Sequence, residues 1–364
     1  MNTTDLKPLP DRPDIEQYRR EAGDLLKSGY SGRIVRNHPH APASATLADA
    51  QLVIAREHGF ESWPNFEEAI RELSREDSPF SKFERAADAI VAGEEARLKS
   101  LLDENPELIH VRSGRVHHAG LIHYISANGF ENYRQKTPPN AVAIAKILLD
   151  AGADPNAIAD CYGKSSVLLL VASSVHPKRA GVQIELMQLL LDRGAKIDGV
   201  NAALHNGRGE AAAFLARRGA ELDLEGAAGV GRLDLVEKFF SEGSVEQKNA
   251  AFSWACEYGH NDVVNFLLSN GVIGEERMPG LHWAIIGGQL ETIRFLLDRG
   301  VSLETRNMYG GTALGQALWS AQNGDPTIEY APIGELLVER GAEVYPGWMD
   351  ALRKLRAHRP PGAA

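Results

Sequence analysis

Leucine, alanine and isoleucine recur along most of this chain in short runs with i, i+3, i+4 spacing, and the runs close on nearly the same signal. The closings read LLDAGAD (148–154), LLDRGAK (190–196), LARRGAE (215–221), LLSNGVI (267–273), LLDRGVS (296–302) and LVERGAE (337–343), with a degraded copy, FFSEGSV, at 239–245. WACEYGHNDVVNFLLSNG (254–271) and WAIIGGQLETIRFLLDRG (283–300) show the unit in full: a short helix ending at glycine, a polar turn, then a second amphipathic helix. In that second helix Ile293, Leu296 and Leu297 form one stripe, and the glycine that follows suits a left-handed C-cap. A unit this short cannot bury its own apolar face, so the pattern predicts a stack of helix pairs.

A second register supports the stack. The glycines that end the inner helices fall at Gly93, Gly129, Gly207, Gly231, Gly259 and Gly288. Four residues earlier stand Ala89, Ala203, Ala227, Ala255 and Ala284, whose small side chains let neighbouring helices approach. These residues resemble the ankyrin repeat: GGTALGQAL (310–318) and YGKSSVLLL (162–170) look like its opening, PGLHWAIIGGQLETIRFLLDRG (279–300) like its body, and AGADPNA (151–157) like its close. The resemblance covers about 83–346, in units 83–114, 115–158, 159–198, 199–222, 223–246, 247–274, 275–306 and 307–346. It implies an all-α ankyrin-repeat solenoid of about eight helix-turn-helix units. The expected division is a helical N-terminal cap at 1–78, with a separate partner-binding module as the alternative, the array at 79–346, and a capping helix and tail at 347–364, with WMDALRKLRAHR (348–359) as that helix.

Spacing departs from the family. The closing glycines at 152, 194, 219, 243, 271, 300 and 341 give steps of 42 and 41 at the ends and 24 to 29 between, against about 33 for the family. The hairpin that projects from each unit is expected to be nearly absent between 194 and 282 and complete at 152–166 and 300–313, so that rims flank exposed inner helices. Extra residues are expected between the paired helices at 130–140, 173–181 and 320–332. Before the array, 9–29 reads as one helix, and 45–73 as a helix ending at Gly59, a turn at Ser62-Trp63-Pro64 and a further helix; 31–44 reads as a linker. This segment resembles one that often precedes ankyrin repeats in bacterial proteins, and the resemblance implies a bacterial source.

Composition narrows the function classes. A net charge of −10 argues against non-specific nucleic-acid binding. Cys161 and Cys256 stand far apart with neither metal nor disulfide spacing. MNTTDLKPLPDRPD has no charged n-region or apolar stretch, and no run approaches the ~20 apolar residues of a membrane span. A cytoplasmic protein without cofactor is the expectation.

Candidate chemistry is sparse. His110, His117, His118 and His123 lack the spacing of a metal site, so no metal is expected, and His117 and His118 read as solvated loop residues. His123 and His282 match the family's Leu-His position, and the resemblance implies that they hydrogen-bond turn backbone. The same column runs His123, Leu168, Asn201, Glu225, Ser253, His282, Gly315, and turns polar in the middle. With His205, Trp254, Glu257, Tyr258 and Trp283 near the same helix ends, the candidate partner-binding set is Asn201, His205, Glu225, Ser253, Trp254, Glu257, Tyr258, His282 and Trp283. The function expected from the family is non-catalytic recognition of a protein partner through the concave face. The alternative is a small-molecule pocket or unusual enzyme in 194–300 that uses the histidines and glutamates for acid–base work. Phosphate-loop, dinucleotide and nucleophile-elbow motifs are missing, and neither cysteine reads as a nucleophile.

Overall fold

The structure, a computed structural model, describes residues 6–10, 12–28 and 45–357. It divides into two compact units, 1–202 and 203–364. The expected linker 31–44 lies outside the described residues.

The first unit opens with helices α1 (Ile15–Lys27), α2 (Leu47–Glu57) and α3 (Trp63–Leu73). Each begins where a side chain can satisfy the free amides of its first turn: Asp14 caps α1, Thr46 and Asp49 form a reciprocal capping box on α2, and Ser62 caps α3. Their apolar faces meet in one core around Tyr18, Leu25, Val53, Ile54, Phe60, Phe66 and Ile70. His58 is buried there, stacked on Phe66 at 5.2 Å, and burial lowers its pKa to about 4.

Helix pairs follow. α4 (Pro79–Ala92) and α5 (Glu95–Glu104) turn at Gly93; α6 (Ala141–Asp150) precedes a two-stranded hairpin, β1 (Ile158–Ala159) and β2 (Ser165–Ser166). Then come α7 (Val167–Ser173), α8 (Val175–Arg179), α9 (Gln183–Asp192) and α10 (Val200–His205), the last containing the boundary between the units. One expected inner helix does not form: at 121–126 the chain makes a 3₁₀ turn that ends with Ala127 in the left-handed region. Next to this turn the core holds charges. Arg115, 1 % exposed, donates from Nη1 to Glu84 Oε1 (2.6 Å) and from Nη2 to Glu84 Oε2 (2.9 Å), and its Nη1 lies 3.0 Å from Glu131. Arg134 adds a bond to Glu84 at 2.9 Å and one to Asp88 at 2.8 Å. Burial pushes the Glu84 carboxyl up, but Arg115 and Arg134 outweigh it and hold the pKa below its ordinary value. His117 belongs to this cluster, 1 % exposed with Nε2 3.4 Å from Glu131, so the solvated-loop reading of it was wrong. An insertion carrying Glu131 supplies its acidic partner, which adjacency to His118 could not reveal. His118 is exposed, paired with Asp160 at 2.9 Å.

The second unit alternates inner and outer helices: α11 (Gly209–Arg217), α12 (Leu224–Gly229), α13 (Leu233–Phe240), α14 (Val245–Tyr258), α15 (Asn261–Ser269), α16 (Gly280–Ile286), α17 (Leu290–Asp298), α18 (Ala313–Asn323), α19 (Ala331–Glu339) and α20 (Trp348–Ala357). One apolar core runs through it, from Leu224 through Val236, Leu267 and Ile293 to Leu337 and Leu352. Ala203, Ala227, Ala255 and Ala284 are fully buried, as close helix approach requires. The six well-formed closing glycines all have positive φ, from 80° to 100°. Gly243 of the degraded copy is outside that region; a Cβ there would meet Leu224 Cδ2 at 2.6 Å, so the buried Leu224 side chain would have to shift. The connections 218–223 and 241–244 have no room for a hairpin, whereas 299–312 does. The connection 270–279 is longer than expected, and its Arg277 carbonyl accepts from Met308 N at 2.7 Å.

Candidate partner-binding surface

The site is built on the inner helices of the second unit. N-caps set where they start: Asp223 accepts from Gly226 N (2.7 Å), Ser244 and Gln247 form a capping box, and Thr312 caps α18. The positive-φ glycines Gly231, Gly259 and Gly288 set where the inner strokes turn. Aligning these turns and the buried Ala284 and Ala317 places Gly226, Trp254, Trp283 and Gln316 in one column across successive helices. A second column runs His205, Gly229, Glu257, Ile286 and Trp319.

Glycines in α12 shape the start of this face. With no side chains at Gly226 and Gly229, Trp254 reaches His205 edge-on at 4.6 Å, and Tyr258 donates its hydroxyl to the Leu204 carbonyl. The Tyr258 ring covers Gly209, whose Cβ would lie 2.6 Å from it. Trp254 and Ser253 are 6 % and 4 % exposed, so they face neighbouring helices more than solvent. Among the nine expected residues His205 is exposed, and Asn201, Glu225, Glu257, Tyr258 and Trp283 are half-buried; Asn201 falls in the first unit.

Electrostatics differ along the strip. Burial, and then Asp223, raise the Glu225 pKa, while His205 opposes them. Glu257 is pushed up to about 7 by burial. His282 is buried, its Nε2 donating to the Gly311 carbonyl at 3.1 Å, and burial lowers its pKa. His123 makes the equivalent bond in the first unit, from Nε2 to Ala157 O at 3.1 Å, so both do the turn-bonding that the resemblance implied. The inner helices α12 and α14 stand between His205 on α10 and His282 on α16, which separates the two proposed acid–base histidines. Among the described residues no group of three His, Cys, Asp or Glu is placed to hold a metal ion. Burial raises the pKa of both cysteine thiols, to about 12 for Cys161, which leaves them poor nucleophiles.

The second column ends in a cleft of about 740 Å³. Its walls are Ile286, Trp319, Trp348 and Tyr345, with Met278, Arg306 and Tyr309 around its edge. A tight turn presents that edge: the Asn307 side chain accepts from Tyr309 N and Gly311 N, both at 3.0 Å, and donates to Gln316 at 2.9 Å. Gly315 replaces the histidine of the His282 column and makes room for Trp348, whose Cη2 would lie 3.2 Å from a Cβ there. Trp348 packs edge-on against Tyr345 at 4.9 Å. Trp319 is 59 % exposed and Tyr309 80 %, large apolar side chains left facing solvent. None of these cleft residues was among the nine. Following the second column past Ile286 would have found Trp319; only the fold brings Tyr345 and Trp348 to it.

In the second unit, alternating inner and outer helices over one apolar core define a fold of the helical-repeat class. The ankyrin-repeat family model matches in three copies, with residues 224–307 and 252–345 matched. The stretch 224–345 thus carries ankyrin repeats, and ankyrin repeats are generally protein–protein interaction modules. Among solved structures it is similar to the human ASB11 ankyrin repeat domain, at 22 % identity over 71 % of this chain and 99 % of that chain, with a TM-score of 0.36. A search of curated proteins found no match. No helix among the described residues is long and apolar enough to cross a membrane.

Proposed function

We propose that this protein recognises a protein partner through the inner-helix face of its second unit, without catalysis. The observation that carries the reading is Trp319: it ends the column His205, Gly229, Glu257, Ile286, and it is 59 % exposed on a helix locked by Thr312 and the Asn307 turn. Aromatic side chains on a rigid support lose little conformational freedom on binding and dominate interface energetics. His205, Glu225, Glu257, Tyr258 and Trp283 would flank this anchor as the polar and aromatic surround; Ser253, Trp254 and His282 would hold the helices in register beneath it.

Trp319→Ala is the clean test, because Trp254 is buried against His205 and truncating it would disturb packing. Affinity capture from the native host should recover a specific protein with the wild type and lose it with Trp319→Ala at unchanged melting temperature. Undiminished capture by that variant would sink the reading.

A further inference from the structure

The aromatic cleft contains one charged side chain, Arg306. Its Nη1 donates to Gly310 O (2.8 Å) and its Nη2 to Tyr345 Oη (3.2 Å), whose hydroxyl in turn donates to Glu343 Oε2 (3.0 Å), so a carboxylate stands one hydroxyl away but makes no direct bond to the guanidinium. Among the described residues Arg306 makes no direct ion pair, a state it shares with Arg299, which bonds Asn265 Oδ1 at 2.8 Å, and unlike Arg299 it lines a cleft. A guanidinium has five N–H donors, so Arg306 keeps unused donors after these two bonds. The two bonds also fix its plane beside exposed Tyr309, and a pre-oriented fork suits a carboxylate better than a mobile ammonium would.

We propose that the cleft takes a short acidic segment of a partner protein, with one bulky apolar side chain seated between Trp319 and Trp348 and a neighbouring Asp or Glu carboxylate on Arg306. This rests on the reading of the inner-helix face as a protein-binding surface and specifies its ligand. The volume of about 740 Å³ accommodates a leucine or phenylalanine side chain with its flanking backbone. The charge pattern selects the flanks: a basic segment would meet Arg306 with like charge, and a nucleic acid would find a single cation where it needs several.

The test uses the full chain and fluorescein-labelled peptides of three kinds. One carries a single leucine flanked by aspartates, the second has lysine for each aspartate, and the third has alanine for the leucine. The wild type should bind the first, and bind the other two about tenfold or more weakly. Arg306→Lys should retain part of the binding, Arg306→Glu should lose it and turn the preference toward the lysine peptide, and Trp319→Ala should lose it for every peptide. Failure to bind the aspartate peptide, equal binding of the lysine peptide, or binding of phenylacetate alone as tightly as the peptide would overturn the proposal. Capture of a host protein that needs Trp319 but ignores Arg306→Glu would leave the interaction surface standing and remove the acidic ligand. Capture that ignores Trp319 as well would remove both.

Discussion

The two units meet the same demand, holding short helices in a stack, with opposite chemistry. The first folds an insertion back and buries Arg115, Arg134, Glu84 and Glu131 together beside a 3₁₀ turn. The second keeps its core apolar, shortens its connections, and leaves aromatic side chains outside, at Trp319 and Tyr309. A buried charge network is specific but intolerant of losing one member; an apolar stack is tolerant inside and frees its surface for recognition. The candidate site accordingly lies where connections lengthen again after the compressed stretch, at 299–312, and not on the most compressed helices.

The sharpest break of this contrast is Arg115→Ala. Removing the guanidinium leaves Glu84 and Glu131 buried with less compensation, and urea unfolding should show a loss of about 3–5 kcal/mol; hydrogen exchange should locate the loosening in the first unit. A loss under ~1 kcal/mol would mean the network contributes little. Next comes Gly287→Ala in the second unit, where a Cβ would be driven into the Glu257 carbonyl. Displacing packed backbone should cost about 2–3 kcal/mol. Gly300→Ala is its control: with φ +80° and nothing within 4 Å of a Cβ, only left-handed strain of about 1 kcal/mol applies.

Protonation acts with opposite sign on two buried histidines of the first unit and on Glu257 of the second. His58 and His123 have pKa values lowered by burial from 6.5 to about 4, so the unfolded chain binds their protons more readily. The stability they contribute is present above about 6.5 and lost as pH falls toward 4. Glu257 has the opposite sign: raised by burial from 4.5 to about 7, it stabilises fully below 4.5 and loses that contribution as pH rises through 7. Glu257→Gln should therefore match the wild type near pH 4.5 and exceed it near pH 8, by roughly 2 kcal/mol in urea titrations at the two pH values. A difference that does not grow with pH would show that the carboxyl is hydrated. The smallest expected effect is Trp319→Ala on stability, within about 0.5 kcal/mol by thermal melting, since the ring faces solvent.

Much of the fold was legible because repetition makes local rules mutually reinforcing. The inner-helix glycines and the buried alanines four residues before them follow from columns read across copies, and the turn-bonding of His123 and His282 follows from the family resemblance. The site was legible only in part. Column reading reached Glu257 and Trp283 but stopped at Gly315, one turn short of Trp319. The burial of His117 was not readable, since its partner Glu131 folds back from an insertion; for the missing inner helix at 121–126 the sequence carries no signal.

The sequence by itself thus determined the helix pairs, their turns and the compression of the middle units, because backbone conformation at glycine and apolar periodicity act within a few residues. Tertiary structure alone decided which exposed aromatics share a cleft and which arginine stands beside them. Trp319, Tyr345, Trp348 and Arg306 come from separate turns and helices, and only stacking brings them to one cleft.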